Sequence, residues 1–270
     1  MQTQQPIGIF DSGVGGLTVA RVLFDNLPRE QVIYLGDTAN VPYGSKSVSE
    51  LVRISEQILS FLVDQKVKLV VAACNTSSSI SLPALGGYFN GVPVVGVIEP
   101  GARAAVQQTK SGRIGVIATE ATVRSRSHQI AVQSIDPSVQ VFSQACPLFV
   151  PLVESGEVSG SETKKVAAEY LRPIQDAGID TLVLGCTHYP YLSDVLQQIL
   201  GSEVTLVDPA GETIKEVIAL LSRVGGFNNG PEREWSDHRY LATGPVESFY
   251  QVAPRLLEGY VPMVQTVSIE

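Results

Sequence analysis

Residues 69–76 read Leu-Val-Val-Ala-Ala-Cys-Asn-Thr, and residues 182–188 read Leu-Val-Leu-Gly-Cys-Thr-His. Each is a short apolar run that stops at a cysteine and then turns polar. A continuous apolar run of this length suits a strand covered on both faces, the situation of a parallel sheet. Upstream of each run lies another matched pair, Ile7-Gly8-Ile9-Phe10-Asp11-Ser12 and Ile114-Gly115-Val116-Ile117-Ala118-Thr119. The spacing between partners is the same in both pairs to within one short loop insertion. The chain therefore carries an internal repeat, and each copy ends in a thiol.

Around these anchors, apolar runs at 7–10, 32–35, 68–73, 92–97, 114–118, 139–142, 181–184 and 203–207 alternate with amphipathic stretches at 49–65, 101–108, 162–177, 191–200 and 211–224. In 49–65, Leu51, Ile54, Ile58, Phe61 and Leu62 recur at helical spacing. The alternation predicts an α/β protein with open parallel sheets. The repeat predicts two pseudo-symmetric open-sheet α/β domains with the active site in the cleft between them, since ligands in such sheets bind beyond the carboxyl ends of the strands. Residues 1–97 and 209–270 are expected to form the first domain and 98–208 the second. Glu99-Pro100-Gly101 would mark the crossing and Asp208-Pro209-Ala210-Gly211 the return. The tail after Phe227 is more polar and is expected to be irregular and to pack back on the first domain.

Composition narrows the function classes. The 270 residues include 19 basic and 27 acidic side chains, a net charge of −8, and 44% are hydrophobic. That is ample material for a core. The acidic balance argues against nucleic acid and anionic membranes as partners, since both need a basic face. The three cysteines, Cys74, Cys146 and Cys186, are odd in number and form no Cys-x-x-Cys, so a disulfide framework is not expected. With no basic and apolar leader and no apolar run long enough to span a bilayer, a reduced, cytoplasmic protein is expected. Three dispersed cysteines and three histidines show no metal-ligand spacing.

Four segments could carry chemistry. Asp11-Ser12-Gly13-Val14-Gly15-Gly16 follows a strand and opens a helix; it reads either as an anion site or as a tight capped turn. It is neither Gly-x-Gly-x-x-Gly nor a Walker loop. Pro42-Tyr43-Gly44 reads as a substrate loop or as an ordinary proline turn. Cys74 precedes five small polar residues, Asn75 to Ser79, enough hydroxyl and amide groups to bind a charged ligand without lysine or arginine. Cys186-Thr187-His188 repeats the arrangement with a histidine in reach of the thiol, a pairing that can activate a thiolate. Two thiols on equivalent strand ends suit two-base proton transfer at a carbon, one removing a proton from one face while the other supplies one to the opposite face. Cys146 has no repeat partner and reads as structural or merely near the site, and Glu154 as an exposed helix-end acid. A redox pair, a Cys186–His188 thiol hydrolase or transferase, and a non-catalytic amino-acid-binding protein are the competing readings. Neither of the last two explains two matched thiols.

The motifs in combination, IGIFDSGVGGLTV at 7–19, VPYG at 41–44, ACNTSS at 73–78, PLFVPLVESGE at 147–157 and LGCTHYP at 184–190, resemble the glutamate racemase family from about Pro6 to about Phe227. That family comprises cofactor-independent isomerases that make D-glutamate for peptidoglycan. The resemblance implies Cys74 and Cys186 as the acid/base thiols, acting on D- and L-glutamate respectively. It implies Asp11 and His188 as their assistants and Glu154 beside His188. It implies that Ser12, Pro42, Tyr43, Gly44, Asn75, Thr76, Thr119 and Thr187, with Asp11 and His188, bind the substrate. It further implies no cofactor, no metal and a homodimer.

Overall fold

In the computed structural model, which describes residues 3–269, the chain first lays down β1 (Ile7–Asp11), β2 (Val32–Gly36), β3 (Leu69–Ala72), β4 (Tyr88–Phe89) and β5 (Val92–Gly96). It continues with β6 (Arg113–Ala118), β7 (Gln140–Ala145), β8 (Thr181–Gly185) and β9 (Thr205–Val207), and ends with β10 (Arg239–Ala242) and β11 (Val264–Thr266). These strands form two sheets, ordered β11-β10-β2-β1-β3-β5-β4 and β7-β6-β8-β9. All pairings are parallel except β4 with β5. The α/β class and parallel sheets expected from the sequence are what the chain forms.

The repeat is also topological. β1 lies between β2 and β3, and β6 lies between β7 and β8, so the two openings and the two cysteine-ended strands occupy equivalent places. Every residue of β1, β2, β3 and β8 is buried. Helices on both faces explain why these strands are apolar throughout. On one face of the larger sheet Ile7 and Ile9 pack with Leu17, Leu23, Ile214 and Phe249; on the other Phe10 packs with Ile54, Ile58 and Leu62. Gly8 and Gly115, equivalent in the repeat, serve the same end. A Cβ at Gly8 would come within 3.3 Å of Leu62, and one at Gly115 within 2.8 Å of Ile179.

Local chemistry sets the helix starts. Ser47 and Glu50 form a reciprocal capping box that opens the helix Val48–Asp64. Asp208 accepts from the Ala210 amide and opens Pro209–Val224. The chain crosses to the smaller sheet after β5 and returns after β9. The helices that begin at these two crossings, Ile98–Gln108 and Pro209–Val224, pack side by side, with an Arg103–Glu216 ion pair between them.

The tail departs from expectation. It does return to the first lobe, but it is not irregular: β10 pairs with β2 and β11 extends the sheet. A sealed ion pair helps pin it. Lys68 Nζ lies 2.6 Å from Glu30 and donates to the Gly226 carbonyl, while Glu30 accepts from the Asn228 amide. Among the described residues no helix is long and apolar enough to cross a membrane.

Candidate active site

The carboxyl ends of β3, β6 and β8 deliver Cys74, Thr119 and Cys186 to the walls of one cavity of about 450 Å³ between the lobes. Cys74 and Cys186 enter from opposite lobes. Ser12, Pro42, Tyr43, Gly44, Asn75 and Thr76 line the first-lobe side, and Glu154, Thr187 and His188 the second. Asp11 is the one named residue that does not reach the lining. It lies sealed beneath, where Oδ2 accepts from the Gly13 amide and Oδ1 from the Thr187 hydroxyl at 3.2 Å. Burial raises its carboxyl above the ordinary range, opposed by the His188 charge, the Gly13 and Gly16 amides and the Thr187 hydroxyl.

The two thiols differ in company. His188 sits 3.8 Å from Cys186 Sγ through Nδ1 and 3.3 Å from Glu154 through Nε2. A carboxylate only accepts, so Nε2 carries a proton toward Glu154 and Nδ1 faces the thiol. Burial works to lower His188, but its hydrogen bonds to Cys186 and Glu154 and the charges of Cys186 and Asp11 outweigh it and hold the imidazole up at about 10. Cys74 has no imidazole. Burial and the Asp11 charge push its thiol up to about 12, with only the Ser77 amide and hydroxyl pulling the other way.

Apart from His188 and the Glu120 and Glu154 carboxylates, the polar groups on the walls are neutral donors and acceptors. No lysine or arginine lines the cavity among the described residues. Thr76 Oγ1 lies 3.0 Å from Thr119 Oγ1 and 3.3 Å from Thr122 Oγ1, a hydroxyl cluster that joins the lobes. Asn75 Oδ1 is buried and has no partner. The Tyr43 hydroxyl is committed to Asp37 at 2.5 Å, and Asp37 is held in turn by Thr243 and Asn40. Tyr43 therefore offers its ring as a wall. No group of three or more His, Cys, Asp or Glu is placed to hold a metal among the described residues.

Cys146, read as structural or near the site, borders the cavity, with its thiol facing the Gln144 carbonyl and driven up by burial and by Cys186. Two features escaped the sequence reading. Val150 and Pro151 supply an apolar wall, and nothing in an apolar helix face marks which members will meet a ligand. The other is the glycine loop. A Cβ on Gly15 would stand 2.6 Å from the His188 ring and from Thr187 Oγ1. The loop is a seat for the opposite lobe as well as a turn, a role only the repeat's geometry discloses.

Comparison with known proteins matches residues 17–217 to the model of the Asp/Glu/hydantoin racemase family. Glutamate racemase of Geobacter metallireducens is 49% identical over 264 residues, which cover 98% of this chain and 97% of that protein. Glutamate racemase isoform RacE1 of Bacillus anthracis superposes with a TM-score of 0.93 at 38% identity, over 99% of this chain and 98% of that one. The Francisella tularensis glutamate racemase, solved with D-glutamate, gives 0.90 at 36% identity, over 98% of each chain.

Proposed function

Since the chain belongs to the Asp/Glu/hydantoin racemase family, we propose that it interconverts L- and D-glutamate by two-base proton transfer, with Cys74 and Cys186 as the bases. The observation that carries this reading is the pair of thiols entering one cavity from opposite lobes on equivalent strand ends. From D-glutamate, the Cys74 thiolate takes the α-proton and the Cys186 thiol supplies one to the other face. From L-glutamate the roles reverse, with Cys186 passing its proton to His188 beforehand. Glu154 fixes the imidazole, and Asp11 plays the corresponding part beneath Cys74. The lobes 1–97 with 209–270, and 98–208, close on the substrate.

The difficulty of the reaction lies in the carbanion. An α-proton beside a carboxylate is far less acidic than a thiol of pKa about 8.5, so the site must stabilise the developing charge. A dry cleft with preorganised donors is the means. Glutamate carries two carboxylates, and with no lysine or arginine on the walls these fall mainly to hydroxyls and amides. Ser12, Gly44, Thr76, Thr119 and Thr187 take that role, with the free Asn75 Oδ1 as acceptor for the ammonium group. Pro42 and the Tyr43 ring close the side. This reading uses no cofactor or metal. It assigns the enzyme to the cytoplasm as a homodimer that supplies D-glutamate for peptidoglycan, with no role for nucleic acid or membrane.

The test is proton exchange. The purified, reduced enzyme is incubated with L-glutamate in deuterated water without additions, while Cα deuteration and optical rotation are followed together. Deuterium entry with decay of rotation is expected. Binding seen by calorimetry without either signal would leave an amino-acid-binding protein.

A further inference from the structure

Ser77 is fully sealed from solvent, and its hydroxyl meets no hydrogen-bond partner. An unpaired buried hydroxyl carries a cost. The serines that follow it are occupied: Ser78 Oγ donates to the Ala72 carbonyl, Ser79 Oγ to the Thr76 carbonyl and Ser81 Oγ to the Leu51 carbonyl. Among these serines Ser77 alone keeps its donor free. It lies three residues after Cys74, in the first turn of the helix Asn75–Ile80 that Cys74 opens, and its amide and hydroxyl are the groups that favour the Cys74 thiolate.

We propose that Ser77 is a positioning residue for the Cys74 half-reaction: when Cys74 gives up its proton to the α-carbon of the carbanion formed from L-glutamate, the Ser77 hydroxyl turns onto the sulfur and donates to the thiolate. The other titratable groups that sense Cys74 do not help it ionise. Asp11 from β1 and Cys186 from across the cleft oppose the thiolate, and Tyr34 and Tyr43 stand nearby as neutral phenols. With no imidazole on this side, the Ser77 donors are the counterweight. Ser77 stands to Cys74 as His188 stands to Cys186, with one difference: it stabilises the anion but cannot carry the proton away. A hydroxyl donor that strengthens as charge forms on sulfur is the small-scale equivalent of an oxyanion hole.

This proposal rests on the two-thiol reading for its catalytic consequence, but its first readout is independent of catalysis. Cys74 and Cys186 are alkylated with iodoacetamide at a series of pH values and the rates resolved by mass spectrometry, in the natural protein, in Ser77→Ala and in Ser77→Thr. Alkylation below the thiol pKa follows the thiolate fraction, so loss of a charge-assisted donor should slow Cys74 about tenfold in Ser77→Ala. The Cys186 rate should stay within about twofold, and Ser77→Thr, which keeps the hydroxyl, should restore most of the Cys74 rate. Unchanged Cys74 alkylation in Ser77→Ala, or equal slowing in the alanine and threonine variants, would overturn the proposal. Racemisation supplies the second readout. The two enantiomers are equal in energy, so kcat/KM for Ser77→Ala must fall by the same factor in both directions, about tenfold. If Cys74→Ala itself racemised normally, the two-thiol reading would fail while the alkylation result stood.

Discussion

The half-site around Cys74 and the half-site around Cys186 share a strand position but not a chemistry. Cys186 has an imidazole 3.8 Å away and a carboxylate behind that imidazole, a relay that can accept and return a proton. Cys74 has a buried carboxylate nearby and a run of hydroxyls, and its thiol stands near 12. Duplication can place equivalent groups on two sides of a planar intermediate, but their activation is then built separately. One side moves the proton away; the other holds the anion.

The largest break in this comparison comes from removing either sulfur. Cys74→Ala and Cys186→Ala should each lower racemisation by about 10⁴-fold, the upper range for one acid/base group. The variants should then differ in what they retain. Cys74→Ala should still exchange the α-proton of L-glutamate with solvent without inversion, through Cys186 and its relay. Cys186→Ala should exchange D-glutamate more slowly, through Cys74. Proton NMR in deuterated water reads both rates, and equal rates would mean that the relay adds nothing.

A smaller effect separates the relay from the thiol. His188→Asn should cost about 10²-fold in kcat/KM, by the same factor from either enantiomer because the two are equal in energy. Steady-state kinetics by polarimetry in both directions would show this. An unchanged kcat/KM would place His188 outside the Cys186 half-reaction.

The smallest effect is on stability against pH. His188 is held at about 10, above its ordinary 6.5, so the protonated imidazole favours the folded state. That contribution is complete below 6.5 and is lost as pH rises toward 10. Cys74, raised from 9.0 to about 12, loses its share later, between those two values. Thermal unfolding should therefore show two successive alkaline losses. His188→Asn should remove the earlier one and Cys74→Ala the later, each a matter of a few degrees in Tm.

What the chain disclosed in advance follows a physical division. Strands buried on both faces announce themselves, because burial demands a run of apolar residues, and β1, β3, β6 and β8 were legible for that reason. The motif residues at their ends were legible because chemistry needs unusual residue types there. β10 was not, because Arg239–Ala242 is short and polar-flanked, and its partner Ile33 lies about two hundred residues away. Local periodicity holds no information about such a pairing. Thr122 was equally hidden, since it looks like an ordinary buried residue until the opposite wall of the cleft is in view, and nothing in the polar run after Cys74 set Ser77 apart from its neighbours.

Gly15 ties the lobes together in a way that bears on how such chains can change over generations. The His188 ring rests where a methyl group at Gly15 would be, so the segments around 11–16 and 186–188 meet at a shared boundary with no slack. Neither can drift alone. A change in the bulk of one must be answered in the other, although they lie far apart along the chain. A chimaera that took its first lobe from this protein and its second from a distant relative would fail at that seam, however well the two crossings matched.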